Sequence, residues 1–568
     1  MIIEEIKNIL KKALKNADFN ILEDILIGQP EKKEFGDYST NIALVLAKKA
    51  NINPREVADS IKKEIENIKS DILNKVEVAG PGFINFFVSG KVFIDNLKNI
   101  DKNIGKTSDL KGKKVILDYT DPNPFKEFHI GHLMTNTIGE SLSRIFEFQG
   151  GRVKRVCYQG DVGIHVAKAM WGILQNKVNF PKDSALLSEK MRFLSAAYAK
   201  GAEAYDNDEN AKKEIVELNK KIFERTDKEI NKYYDKGKKW SLEHFDELYI
   251  KLGTKFDYFI FESEVSGLGK KIVESGLKKG IFEKSEGAVV FKGEKCGLHT
   301  RVFINSEGLP TYEAKDLALA ETKYKKYKYD QSFVITGNEV NEYFKVMLCA
   351  MKEINPSLAS KTKHIGHGML RLPEGKMSSR TGKVMTGESL LEKVEELVKD
   401  KIKDRELSLK EKAEIVESVA VGAIRYSILR QSIGSNIIYD FDKSISFEGD
   451  SGPYLQYSYT RAASVLKKAK EERIKPSFKK VPDKITELEK AMYDFSDVVS
   501  RAGKNYEPHY LVSYLTELAG IFNSYYAENK IVDKSDELSP YKVALTDAFS
   551  LIMKNGMWLL GINSLEKM

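Results

Sequence analysis

Cysteine is scarce: a chain of 568 residues holds three, Cys157, Cys296 and Cys349. They lie far apart with no Cys-x-x-Cys pair, so their spacing signals neither a structural zinc site nor a disulfide framework. A reducing, cytoplasmic setting is expected on that account. No run reaches the roughly 20 apolar residues that a membrane span needs, which argues against a membrane partner. The opening MIIEEIKNILKKALKN is amphipathic and too acidic for a signal peptide. Blocks of one charge are missing too; the charges are interspersed, as on a folded surface rather than a basic tail. What is present is ample apolar content, 42%, and a net charge of +8, which favours a polyanionic partner. At about 100–200 residues per domain, the length predicts roughly three to five domains.

The stretch from Val115 to Phe148, VILDYTDPNPFKEFHIGHLMTNTIGESLSRIFEF, organises the rest. Val115-Ile116-Leu117 reads as a buried strand. Pro122 and Pro124 end it and forbid an immediate helix. After His129-Ile130-Gly131-His132, apolar Leu133, Ile138, Leu142, Ile145 and Phe146 recur at helical spacing. The reading is strand, tight turn, helix N-terminus, with two histidines and a glycine at the turn. A helix N-terminus offers unpaired N–H groups that suit a phosphate. Gly131 would let the backbone approach it, and the imidazoles could donate to its oxygens. A second strand from Arg152 to Tyr158 leads through Gly160-Asp161-Val162-Gly163 into another helix. This alternation predicts a doubly wound parallel sheet with ligands at the carboxyl ends of its strands.

The histidine turn resembles the HIGH signature of class I aminoacyl-tRNA synthetases. Its upstream context, Pro122-Asn123-Pro124 and Lys126, is similar to that of the arginyl-tRNA synthetases. Lys376-Met377-Ser378-Ser379-Arg380 resembles the family's second signature, the KMSKS loop, with Ser379 and Arg380 departing from it. The resemblance implies that Lys126 supplies the charge missing at Ser379. A second His364-Ile365-Gly366-His367 reads as a strand leading into that loop, not as a catalytic turn. The resemblance implies that this run, with Met369, lines the ATP site. On the same ground ATP, carrying Mg2+, is expected at Pro122, His129, Gly131, His132, Lys376, Met377, Ser378 and Arg380. The catalytic set is His129, Gly131, His132, Lys126 and Lys376. Developing charge on pyrophosphate needs such cations.

The expected fold is multidomain α/β: a Rossmann-type catalytic core, a small N-terminal α/β domain and a C-terminal α-helical bundle. Residues 1–95 resemble the family's appended N-terminal domain through GDYSTN and VEVAGPGFINFF, which implies contact with the D-loop of a tRNA. Residues 91–112 read as a linker. The catalytic domain is expected at 113–387, with a polar helical insertion at about 176–284. AVVF, RVFIN, a helix from Tyr312, a strand from Gln331 to Gly337 and a helix to Ile354 follow. Residues 388–568 resemble the anticodon-binding domain; Tyr454 and Tyr457 match tyrosines that line the anticodon site, and Tyr459 reads as core. Unpaired bases are read by stacking on such rings.

Arginine carries a planar cation and needs carboxylates and acceptors. Tyr312 and Asp316, at i and i+4, share one helix face. With Asp118 and Asn123 they occupy the family's arginine-contacting positions, where glutamate is usual for Asp118. Val340 and Tyr343 stand where glutamine and histidine are usual. The resemblance implies an arginine–tRNA ligase whose partners are L-arginine, ATP and tRNA(Arg), acting as a monomer without an editing domain, and forming adenylate only in the presence of tRNA. A small-molecule nucleotidyltransferase and a non-catalytic tRNA-binding paralogue stay open as rivals at this point.

Overall fold

A computed structural model describes residues 2–19, 25–373 and 385–568. They form two compact units: residues 1–101, 469–493 and 531–548 in one, and residues 102–468, 494–530 and 549–568 in the other.

In the first unit, three helices (Ile2–Asn16, Ile42–Ala50 and Pro54–Asn67) cover a three-stranded antiparallel sheet. Its central strand, Phe83–Val88, pairs with Tyr38–Thr40 and Leu73–Ala79. Asn53 caps the third helix by accepting from the Arg55 N–H, with Pro54 opening the first turn. The presumed linker carries a helix, Gly90–Leu97, and segments from the C-terminal third complete this unit. Tyr493 accepts from the Ile2 N–H, and Lys490 pairs with Asp37. Segments of the C-terminal helical region thus belong to both units.

The second unit is built on a five-stranded, all-parallel sheet. In chain order its strands are β1 (Lys114–Asp118), β2 (Arg152–Gln159), β3 (Tyr258–Phe261), β4 (Gln331–Gly337) and β5 (Thr362–His367). Their spatial order is β5-β4-β1-β2-β3. The order reverses between β1 and β4, and that crevice is where doubly wound sheets take ligands. Helices α1 (Ile130–Phe148), α2 (Ile164–Leu174), α3 (Glu262–Lys278), α4 (Tyr312–Lys326) and α5 (Asn341–Ile354) connect or cover the strands. β1 is apolar throughout its middle, with Val115, Ile116 and Leu117 fully buried, as a strand covered on both faces must be.

Three findings correct the sequence reading. β3 lies inside the stretch read as an insertion; the inserted part proper is the helices Leu187–Asn207, Glu209–Glu224 and Lys228–Lys251. A four-residue edge strand, Tyr-Phe-Ile-Phe, is too short to show a period. AVVF and RVFIN do not join the parallel sheet but form a separate three-stranded antiparallel sheet with Glu283–Ser285. Cys296 and Cys349, 53 residues apart, are joined by a disulfide between the turn before Arg301–Ile304 and α5, whereas Cys157 is free and buried.

Polar side chains tie α1 and the inserted helices to the sheet. Buried Glu140 on α1 accepts from Tyr119, Arg144 and Arg155, and the two guanidiniums hold its carboxyl down at about 2 despite burial. Fully buried Asp161 accepts from the Ser263 N–H and hydroxyl, Tyr234 and Lys238. It thereby links the end of β2 to α3 and to an inserted helix.

Candidate active site

The turn between β1 and α1 is held in a costly shape. Thr120, Asp121 and Phe125 have φ of 80°, 49° and 69°, in the left-handed region that non-glycine residues avoid. Each is tied down. Asp121 accepts from the Tyr158 N–H at 2.7 Å and Asn123 from the Gly160 N–H at 3.2 Å. Ser241, on an inserted helix, accepts from the Phe125 N–H at 3.0 Å.

This turn delivers His129 to the N-cap of α1. The His129 N–H donates to Nδ1 of His132 at 3.2 Å, and the two rings stack at 3.5 Å. With Nδ1 accepting, the proton of neutral His132 sits on Nε2. Burial, then the neighbouring His129, pushes the His132 imidazole well below its usual value, so it is neutral near pH 7. His129 is lowered by burial and then by Lys126. A neutral ring that donates through Nε2 beside free helix N–H groups suits a phosphate oxygen. Gly131 has a structural reason beyond ligand approach: a Cβ there would meet the His129 ring at 2.9 Å. Lys126 is depressed by burial and then by Lys168. Pro122 is buried in the turn.

Lys376, Met377, Ser378 and Arg380 lie outside the described residues. The chain emerging from that stretch runs against the histidine turn: Thr386 bridges His129, and the Gly387 N–H donates to the Phe128 carbonyl at 2.8 Å. The second His-Ile-Gly-His is a strand, β5, as expected. The backbone of Met369 is engaged on both sides. Its N–H donates to Asn436 and its carbonyl accepts from Ile437, so it offers its exposed side chain and not free backbone groups.

Beside the turn, at the carboxyl ends of β1, β2 and β4, opens a cavity of about 890 Å³. Register explains its floor. Asp118 is paired with both Val156 and Val334. Two residues further along each neighbouring strand, on the same face, stand Tyr158 and Thr336. Asp118, Tyr158, Val334 and Thr336 line the cavity from the sheet, while Tyr312, Asp316 and Leu319 line it from one face of α4. Asn123, Val340 and Tyr343 also border it, so all four positions expected to hold arginine surround one space.

The carboxylates there are differentiated. Asp118 is paired through Oδ2 with buried Lys323 at 2.9 Å, whereas its Oδ1 is buried without a hydrogen-bond partner among the described residues. Burial, opposed by a hydrogen bond donated by Tyr343, pushes the Asp316 carboxyl up to about 7. Burial and the neighbouring Asp118 raise Asp121 well above the usual range. Tyr312, half its surface free, is pushed up to about 12 by burial and by Glu262. A pocket walled by acid and phenol oxygen suits a cationic ligand, and it opens beside a turn whose donors suit phosphate.

Comparison with known proteins agrees. The profile of class I (R) tRNA synthetase catalytic domains matches residues 95–441. The chain belongs to the arginyl-tRNA synthetases. Profiles of the arginyl-tRNA synthetase N-terminal domain and the DALR anticodon-binding domain match residues 4–88 and 455–568. The arginine–tRNA ligase of Clostridium acetobutylicum is 31% identical, with 96% of each chain covered. That of Clostridium perfringens is 30% identical, with 100% of this chain and 99% of the relative covered. The crystal structure of Thermus thermophilus arginyl-tRNA synthetase shares the fold over 100% of both chains, with a TM-score of 0.80 at 21% identity.

In this synthetase the sequence reading passed over Tyr158, Lys323 and Arg301. Alternation along β2 places Tyr158 on the face of Asp118, a signal available only once the register is known. Arg301 pairs with Glu313 at 2.6 Å and lies over the Tyr343 ring. In the helical region, Tyr454 accepts from Asn523, and Tyr457 accepts from Arg461, whose guanidinium lies over the Tyr457 and Tyr526 rings. Both expected anticodon residues are half-buried at this cluster, and Tyr459 is core.

Proposed function

We propose that this arginine–tRNA ligase works through the cavity beside the histidine turn in two steps. The arginine carboxylate attacks the α-phosphorus of ATP and pyrophosphate leaves. The 2′ hydroxyl of the terminal adenosine of tRNA(Arg) then attacks the arginyl carbonyl and AMP leaves. Asp316 and Asp118 face the guanidinium, Tyr312 packs beside it, and Asn123 holds the near end of the amino acid. His132, with its Nε2 proton, and His129 stabilise charge at the reacting phosphorus, with Gly131 leaving room for the His129 ring. Lys126 and Lys376 answer the charge on departing pyrophosphate. Met377, Ser378 and Arg380 close on the triphosphate, with Pro122 and the Met369 side chain toward the nucleoside. Mg2+ enters on the triphosphate and screens its charge; the turn itself offers donors, which suit phosphate oxygens rather than a cation. Positioning and charge stabilisation carry this chemistry without a dedicated base.

The observation that carries the reading is the convergence of Asp118, Asn123, Tyr312 and Asp316 on one cavity at the end of the strand that leads to His129. Tyr454 and Tyr457 stack with anticodon bases, and residues 1–95 take the tRNA D-loop. The cavity is complete within one chain, which supports action as a monomer. Charging assays with each of the twenty amino acids and total tRNA test the assignment: arginine alone should be esterified, and charging of any other amino acid refutes it. Adenylate formation should require tRNA; arginine-dependent pyrophosphate exchange without tRNA would contradict that step.

A further inference from the structure

Two residues that line the arginine cavity carry a buried polar atom with no hydrogen-bond partner among the described residues: Oδ1 of Asp118 and the hydroxyl of Tyr158. They stand on adjacent strands and on one face of the sheet, because Asp118 is in register with Val156 and Tyr158 is the next residue of that face. Burying a hydroxyl without a partner is unfavourable, and such groups in native proteins call for an explanation. The backbone around this one is secured, since the Tyr158 N–H donates to Asp121 at 2.7 Å. The ring is thus fixed on the cavity wall while its polar tip is unused.

From the cavity, we propose that Tyr158 is a specificity-determining residue that contacts the arginine side chain, its hydroxyl oxygen accepting one guanidinium N–H. The inference rests on the cavity being the arginine site. Its chemistry follows from counting donors. A guanidinium presents five N–H groups in a planar fork. One oxygen of Asp118 is already spent on Lys323, and Asp316 already accepts from Tyr343. Each of those two carboxylates has part of its accepting capacity committed elsewhere, and a further acceptor on the same wall adds to what remains. The phenol suits this task because Glu262, Asp316 and Asp118 surround it and, with burial, raise its ionisation well above the usual value, keeping it a neutral donor and acceptor. A lysine ammonium, with three donors at one point, gains nothing from an acceptor placed for the edge of a plane.

The test is Tyr158→Phe, which keeps the ring. Steady-state charging with arginine, ATP and tRNA should show KM for arginine raised ~10–150-fold, the range for losing one buried hydrogen bond to a charged group. Turnover and KM for ATP should stay within about twofold by the same argument, since a contact made equally before and during reaction changes binding alone. Calorimetric titration of arginine into the free enzyme should show the same weakening. The melting temperature should hold or rise, because the free protein loses an unpaired hydroxyl and not a bond. An unchanged arginine KM overturns the proposal. So does a fall in melting temperature with equal changes in arginine and ATP parameters, which marks a packing role. Asp316→Asn run in parallel separates the two levels. If it weakens arginine while Tyr158→Phe does not, only this inference fails; if wild type does not charge arginine, the site assignment itself fails.

Discussion

Acidifying the assay from pH 8 to pH 6 should raise KM for arginine roughly tenfold while leaving KM for ATP almost flat. Asp316 is the reason. Burial holds its carboxyl up at about 7, against the lowering effect of the Tyr343 hydroxyl. A guanidinium pairs with the carboxylate, so a neutral Asp316 must release its proton before arginine is held. With that midpoint about nine-tenths of the free enzyme is competent at pH 8 and about one-tenth at pH 6, and apparent affinity scales with the competent fraction. His129 and His132 are both lowered from the ordinary imidazole value, His132 well below it, by burial first, which moves their titration away from the alkaline part of the window. The sign reverses for stability. In the free protein the folded state holds this proton more tightly than the unfolded chain, so Asp316 contributes most on the acid side, and that contribution is lost as pH rises through about 7. Arginine KM should therefore improve with pH while this contribution to the melting temperature declines. The assay is initial-rate charging at saturating tRNA, with Asp316→Asn as control. A flat arginine KM in wild type, or the same slope retained in Asp316→Asn, refutes the reasoning.

Other perturbations have defined outcomes. His132→Ala should lower turnover ~10²–10³-fold in charging and in tRNA-dependent pyrophosphate exchange, with an unchanged circular dichroism spectrum. Lys323→Met leaves the Asp118 carboxylate buried and uncompensated, so chemical denaturation should report a loss of about 3–5 kcal/mol, and an unaltered midpoint would show the pair to be idle. Gly139→Ala would drive a methyl to 2.2 Å from the Tyr119 ring; overpacking costs about 1–3 kcal/mol, read as a lower melting temperature.

The catalytic half was legible where local chemistry and periodicity agreed. β4 runs from Gln331 to Gly337 and α5 ends at Ile354, as read, because an apolar strand and an amphipathic helix each announce themselves within a few residues. The turn at His129 was legible from its prolines and histidines. Asp118, Asn123, Tyr312 and Asp316 could be named from resemblance and one i, i+4 spacing, yet their convergence on one cavity needed the strand register. Tyr158 was invisible for that reason: nothing along β2 tells a phenol that faces a cavity from one that faces a helix. β3 was too short for its alternation to register. The backbone partners of Met369 are the Asn436 side-chain oxygen, which accepts, and the Ile437 N–H, which donates, and no local pattern encodes their proximity. Glu140 on α1 and Asp161 after β2 gather partners from distant segments, and the sequence marks them only as isolated acids among apolar neighbours.

The bond from Phe125 to Ser241 changes what the inserted helices are. A segment that looks like a decoration between two sheet strands holds an amide of the very turn that presents His129, four residues downstream. Asp161 fastens the same helix to the far side of the cleft through Tyr234 and Lys238. Excising those helices would not merely trim the enzyme. It would free a left-handed backbone to relax, and the imidazoles of the histidine turn would lose their aim before a single side chain of the pocket had been altered.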